Sequence, residues 1–202
     1  NLLIFTYLSV QLLSVLEWTA AIAGLINVFL LTRQTVWSWP FGLISVFLYA
    51  FVFYHNRLYS DVLLHIIYVV LNIFGWYKWA NKKNALADSD LKVSVLGTAE
   101  RSTYAILIVI GFLIWGYLLK RNTNADFAYT DAFILMASLC AQYLIAIKKL
   151  ENWIIWIIVD MVAITIYYLK ALYVTSGLYA IYLCLCILGF MTWRKSLLHK
   201  IV

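Results

Sequence analysis

The 202 residues are 65% hydrophobic and only 12% charged, with a mean hydropathy of +0.90. A soluble domain carries about 25% charged residues, so a water-soluble globule is excluded. The short alternating apolar–polar segments of a transmembrane barrel are missing too. The net charge of +6 sits mainly in the links between apolar runs, so it reads as a topology signal and not as a nucleic-acid surface.

Residues 1–14 are apolar but too short to span a bilayer. They are read as the remnant of an accessory helix or as a segment lying on the membrane surface. Seven longer runs follow, at about 15–32, 38–54, 60–79, 103–119, 129–147, 152–169 and 175–193. Each has roughly the 17–20 residues a helix needs to cross the hydrocarbon core. The fold class predicted is therefore all-α, with seven transmembrane helices. Pro40, the single proline, falls at the start of the second run, where a missing amide hydrogen costs little. Residues 81–102 are the longest polar stretch, with Asn81, Lys82, Lys83, Asp88, Ser89, Asp90 and Lys92, and read as a linker. The short links near His55–Tyr59 and Lys148–Glu151 allow only tight helical hairpins. Residues 196–202 form a tail.

The run from Trp39 to Trp79 reappears without a gap 114 positions later. The pairs include Trp39/Trp153, Tyr54/Tyr168, Tyr59/Tyr173, Tyr68/Tyr182, Gly75/Gly189 and Trp79/Trp193, and Glu17/Asp131 extends the register upstream. Matching Trp, Tyr and Gly at one offset marks an internal duplication. Residues 15–80 form the first three-helix repeat, residues 103–119 a connecting helix and residues 120–195 the second repeat. A single connecting helix gives both trios the same orientation, a 3+1+3 parallel repeat with its axis along the membrane normal. Such duplicated hydrophobic chains are the mark of transporters with a substrate between the halves.

Lys and Arg set the orientation. One side holds Arg57, Lys120, Arg121 and Lys170. The other holds Arg33, Lys78, Lys82, Lys83, Lys92, Arg101, Lys148, Lys149, Arg194, Lys195 and Lys200. The second side is the richer and is assigned to the cytoplasm, together with the carboxyl terminus. Glu17, Asp61, Asp126 and Asp131 then fall at outer helix ends, where they cap helix starts or enrich cations at an entrance.

Polar and aromatic residues inside the runs mark the candidate site. Tyr68, Asn72, Trp76 and Trp79 follow spacings that share one helix face, and so do Asn152, Trp156 and Asp160. Asn72 lies roughly 10 Å from Trp79 along its helix and Asp160 roughly 12 Å from Asn152, so both reach similar depths. The two stripes are expected to face each other across the repeat interface. An ionised carboxylate at that depth costs about 2.5–3.5 kcal/mol on insertion scales. Asp160 is therefore either a neutral acid bonded to a neighbouring helix or a carboxylate facing a wet cavity or a cationic ligand. Trp37, Trp39, Trp79, Trp153 and Trp193 suit an interfacial belt; Trp76 and Trp156 lie deeper, where indole faces attract flat cations. Gln142 and Asn27 suit helix–helix hydrogen bonds. His65 reads as a bonded core residue, and Cys140, Cys184 and Cys186 as small packing residues. No His pair or His–Cys spacing suits a metal, and the His-Glu-x-x-His, Gly-x-Ser-x-Gly and phosphate-loop motifs are missing, so no cofactor and no enzyme activity is expected.

These residues resemble the PnuC family of vitamin transporters, in its nicotinamide riboside type. The resemblance is carried by Trp37-Ser-Trp-Pro-Phe-Gly42, by Asn72-Ile-Phe-Gly-Trp-Tyr-Lys-Trp79 and by Asn152-Trp-Ile-Ile-Trp-Ile-Ile-Val-Asp160. It implies a SWEET-like fold and a homotrimer in the bacterial inner membrane. The implied activity is downhill uptake of nicotinamide riboside by alternating access, driven by phosphorylation of the substrate in the cytosol. Trp76 and Trp79 look like the family's Trp-x-x-Trp motif, and Asn152 and Trp156 like its Asn-x-x-Trp element. With Tyr68, Asn72, Gln142 and Asp160 they form the expected substrate-binding set. Thiamine and riboflavin are the alternative cargoes. The charge asymmetry predicts that a fluorescent protein fused after Val202 lights up and that alkaline phosphatase fused there is inactive; the reverse pattern would invert the orientation.

Overall fold

A computed structural model describes residues 2–55, 59–81, 92–123 and 127–198, with side chains except those of residues 2–10 and 59–61. Arg57, Asp126, Lys200 and linker residues 82–91 lie outside the described residues, as does the side chain of Asp61. The helices are α1 (Leu2–Thr32), α2 (Ser38–His55), α3 (Tyr59–Ala80), α4 (Thr98–Asn122), α5 (Ala128–Ala146), α6 (Glu151–Leu169) and α7 (Tyr173–Leu198). All seven contain a segment long and apolar enough to span a bilayer. A helix satisfies its backbone hydrogen bonds internally, which hydrocarbon demands because it offers no water.

Two boundaries depart from the sequence expectation. Residues 2–14 are not a separate element: they continue into the first spanning segment as one helix. No Pro or Gly interrupts the chain there, so nothing breaks the ladder. Glu17 is consequently mid-helix and exposed, and does not cap a helix start. The fourth helix begins five residues earlier than the apolar run, at Thr98. Its first turn is polar but capped: the Gly97 amide donates to Glu100 Oε2 at 2.8 Å, which satisfies one of the orphan amides at a helix start.

The chain forms two compact units, residues 1–81 and 82–202. In the first, α2 lies between α1 and α3. Ala20, Ala21 and Ala23 are buried on α1, and the Ser45 hydroxyl on α2 donates to the Ala20 carbonyl at 2.8 Å. Small residues allow this close approach, and a hydroxyl bond replaces the hydrophobic driving force that lipid lacks. In the second unit α4 packs on α5, α5 on α6 and α6 on α7. Gly116 and Gly111 of α4 receive Tyr129 and Met136 of α5. The Ser176 hydroxyl fastens the start of α7 to the Ile164 carbonyl of α6 at 3.0 Å.

The duplicated sequence has duplicated geometry. Gln34 and Lys148, 114 positions apart, both have positive φ, at 57° and 53°. The amide of Thr35 bonds the Leu30 carbonyl at 3.2 Å and that of Lys149 bonds Leu144 at 2.9 Å. Trp39 bonds Val36 and Trp153 bonds Leu150, each at 3.2 Å. The rings agree as well: Trp39 meets Trp79 edge-on at 5.3 Å, and Trp153 meets Trp193 edge-on at 5.4 Å, both at 86°. Each buried indole then lies on a glycine of the next helix, Trp39 on α3 and Trp153 on α7. A Cβ on Gly75 would enter the Trp39 ring, and one on Gly189 would sit 2.6 Å from Trp153.

The α5–α6 loop carries an addition described only there. The Ser94 amide donates to the Lys148 carbonyl at 3.1 Å and its carbonyl accepts from Leu150 at 2.9 Å. Glu151 Oε1 accepts from the Leu96 amide at 3.0 Å and pairs with Arg101 at 2.9 Å. Val93 and Leu96 are buried beside this clasp.

Gly75→Val and Gly189→Val should each lower the melting temperature of the purified protein. Overpacking of this kind costs about 1–3 kcal/mol, or about 3–10 °C at this size. Gly177→Ala, with no atom within 4 Å of the added carbon, should melt close to wild type. Equal melting of all three would remove the indole–glycine contacts from the packing account.

Candidate functional site

Polar side chains gather within each unit, at places where α2 or α6 meets its neighbours. In the first unit Asn72 of α3 is 3% exposed. Its Nδ2 donates to the Tyr68 carbonyl at 2.8 Å, one turn back on the same helix. That bond fixes the amide plane and leaves Oδ1 buried without a partner. Oδ1 points at Gly42 of α2, and the Asn27 amide of α1 approaches the same spot, 3.2 Å from where a Cβ would stand. Asn27 Oδ1 is also buried without a partner. Three helices thus bring two amides to one glycine.

Tyr68 is half-buried, and its ring meets His65 edge-on at 5.9 Å. His65 also packs on Phe53 at 4.9 Å, which places it in an aromatic cluster of α2 and α3. Trp79 is buried against Trp39. Trp76 turns away from its own unit and is 40% exposed. The α3 stripe is therefore split: Asn72 and Trp79 point inward, and Trp76 lies outward of them.

In the second unit Asp160 of α6 is 2% exposed. Cys186 of α7 donates its thiol hydrogen to Asp160 Oδ2 at 3.3 Å. Of the two readings of Asp160 left open by the sequence, contact with a neighbouring helix is the one visible within this unit. Asn152 is fully buried at the start of α6, its Nδ2 donating to the Lys149 carbonyl at 2.5 Å. The equivalent position of the first repeat holds Ser38, whose hydroxyl donates to Thr35 at 2.8 Å. Both bonds tie off the turn before α2 and α6 respectively. Asn152 Oδ1 and the Trp153 indole nitrogen nevertheless stay buried and unpartnered. Trp156 is half-buried one turn further along α6, and Gln142 is buried on α5.

Acidic residues at the outer ends are partly accounted for. Asp131, in the first turn of α5, pairs with Lys170 at 3.7 Å. Lys170 also lies over the Phe127 ring at 5.4 Å. Cys186 and Gly42 were absent from the sequence-derived set, and Asn27 was assigned only to helix packing. The repeat register held a signal for all three. Cys186 falls on the position of Asn72, Gly42 on that of Trp156 and Asn27 on that of Ala141. Equivalent positions with contrasting side chains are where two copies of one scaffold diverge. Among the described residues no cluster of His, Cys, Asp or Glu could hold a metal.

The profile of the nicotinamide mononucleotide transporter family matches residues 14–195. The nicotinamide riboside transporter PnuC of Escherichia coli (strain K12) is 26% identical, with 91% of this chain and 87% of that one covered. The riboflavin/roseoflavin transporter RibM of Streptomyces davaonensis is 25% identical, with 85% and 81% covered. A crystal structure of the vitamin B3 transporter PnuC matches with a TM-score of 0.72 at 26% identity, covering 90% of this chain and 81% of that one. Seven spanning helices and a match across nearly the whole chain make this a multi-pass membrane transporter, not an enzyme, and the chain belongs to the nicotinamide mononucleotide transporter family.

Proposed function

We propose that this chain carries nicotinamide riboside into the cytosol across the bacterial inner membrane. The observation that carries this reading is the match, over about nine-tenths of the chain, to relatives named as nicotinamide riboside transporters and to the vitamin B3 transporter structure. The chemistry of the candidate residues supports it. Nicotinamide riboside joins a flat positively charged ring to an amide and a ribose. Trp156 and Trp76 supply indole faces, each worth about 0.5–2 kcal/mol against a cation. Asn72, Asn152 and Gln142 supply amides, Asp160 a carboxyl group, and Tyr68 a ring and a carbonyl beside Asn72. Trp79, held edge-on by Trp39, anchors the α3 stripe at its cytoplasmic end.

Transport proceeds by alternating access, and phosphorylation of the nucleoside in the cytosol holds the gradient inward. The carboxyl terminus is cytoplasmic, and the working assembly is a homotrimer built from the parallel 3+1+3 repeat. No ATP-binding loop is present in the sequence to drive the step directly. Riboflavin is the second reading, favoured by the similarity to RibM.

Calorimetry on the purified protein should show binding of nicotinamide riboside in preference to riboflavin, thiamine and sucrose; a preference for riboflavin would replace the first reading by the second. Asn72→Ala and Trp156→Ala should each weaken nicotinamide riboside binding by about tenfold, the loss expected for one hydrogen bond to a charged group or one cation–ring contact. Wild-type affinity in both would take these residues out of the site. Asp160→Asn should weaken binding of the cationic nucleoside more than that of its reduced, neutral form, and equal losses would detach Asp160 from the ring charge.

A further inference from the structure

The strap at the end of the linker encloses the start of α6. The first amides of a helix have no partner within it, and here the preceding loop supplies them. Asn152 donates its backbone amide to the Lys149 carbonyl at 3.2 Å and its side-chain Nδ2 to the same oxygen at 2.5 Å. The Trp153 amide donates to the Leu150 carbonyl at 3.2 Å. The first turn of α6 therefore sits wherever Lys149 and Leu150 are held. Ser94 brackets them: its amide donates to the Lys148 carbonyl at 3.1 Å, and its carbonyl accepts from the Leu150 amide at 2.9 Å. Glu151 adds a second fastening through one oxygen. Its Oε1 accepts from the Leu96 amide and from Arg101 Nε, each at 3.0 Å, and lies 2.9 Å from Arg101 Nη2. Val93, Leu96 and Leu150 are buried beside these bonds.

What this turn supports is Trp156. In an α-helix the amide of residue 156 bonds the carbonyl of residue 152, so the turn that carries Trp156 is built on Asn152. Unlike Asn152, which is fully buried, Trp156 is half-buried and keeps open surface. Helix ends fray, and a charge-assisted bond at the first residue opposes fraying about twice as strongly as a neutral one. The repeat register shows that the fastening is particular to α6. Trp37 stands at the position of Glu151 and is 72% exposed, and Gly42 stands at that of Trp156. The acidic clasp thus occurs in the copy that carries an indole one turn further along. We propose that Glu151 is a positioning residue for transport: it fastens the start of α6 to the strap and to α4, and so fixes where the Trp156 ring meets the cargo. Glu151 acts through Trp156 and does not touch the cargo itself. The inference rests on Trp156 belonging to the binding set.

The test is a double-mutant cycle on the full chain, read by calorimetry with nicotinamide riboside and with riboflavin. Glu151→Ala should weaken binding of the preferred ligand by about fivefold, the cost of a slightly misplaced contact. Added to Trp156→Ala, the same change should cost less than about twofold, because the ring it positions is already gone. Glu151→Gln keeps an oxygen for Leu96 and Arg101 and should stay within about twofold of wild type. Arg101→Ala decides the matter if Glu151→Ala does not fold, since the Arg101 side chain is 56% exposed. It should weaken binding by about threefold, and by less than about twofold when Trp156 is already Ala. A lowered melting temperature with unchanged affinity would reduce the clasp to a brace and overturn the proposal. Losses that multiply in the double variants would overturn it as well. A loss in Trp156→Ala without one in Glu151→Ala or Arg101→Ala overturns the positioning role alone. Wild-type affinity in Trp156→Ala removes the ring from the site and the positioning role with it, and wild type that binds neither ligand overturns the cargo and the role together.

Discussion

An indole lying flat on a bare stretch of helix is the contact on which each unit depends. Trp39 on Gly75, and Trp153 on Gly189, let α2 and α3, and α6 and α7, approach to the thickness of a ring. In lipid there is no hydrophobic gain from pushing two helices together, because the acyl chains are as apolar as the side chains. What remains is close packing, and a large flat ring against a glycine gives many atom contacts in a small area. Trp79 and Trp193 then close the other side edge-on at almost identical distance and angle. The same solution occurs twice because the sequence that encodes it occurs twice.

With the scaffold fixed this way, positions that differ between the two repeats carry the buried polar side chains. The first unit brings two amides to a glycine; the second sets a carboxyl group against a thiol. The sites at 42 and 156, and at 72 and 186, are equivalent in register yet opposite in character. The two units therefore bury different polar groups at equivalent positions of the sequence repeat. Buried groups left without partners cost stability, and among the described residues they fall on Asn27, Asn72, Asn152, Glu151 Oε2 and the indoles of Trp39 and Trp153.

Asymmetry extends to the loop before the middle helix. Both copies turn through the same positive-φ residue and the same backbone bonds. The second copy is further pinned by Ser94 and by the Arg101–Glu151 pair, which join the end of the linker and the start of α4 to the start of α6. Glu151 is largely buried, and its Oε1 is shared between the Leu96 amide and Arg101. Charge-assisted bonds of this kind are about twice as strong as neutral ones, so the α5–α6 turn is held more firmly by its surroundings than composition alone indicates.

The sequence by itself determined the membrane class and the seven spans, because hydropathy and helix length are one-dimensional properties. It also located Asn72, Asn152, Trp156 and Asp160 as polar or aromatic exceptions in apolar runs. It misjudged Glu17 and the separate status of residues 1–14, since an apolar segment without a breaker gives no mark of where a helix begins. Tertiary structure alone decided the partners. That Asn72 Oδ1 lies unpartnered against Gly42, that Cys186 reaches Asp160, and that Trp76 turns outward while Trp79 turns in, all depend on which face of one helix meets which face of another. Spacing places side chains on a common stripe about a quarter-turn wide; only the packing of the neighbouring helices tells which edge of that stripe is covered.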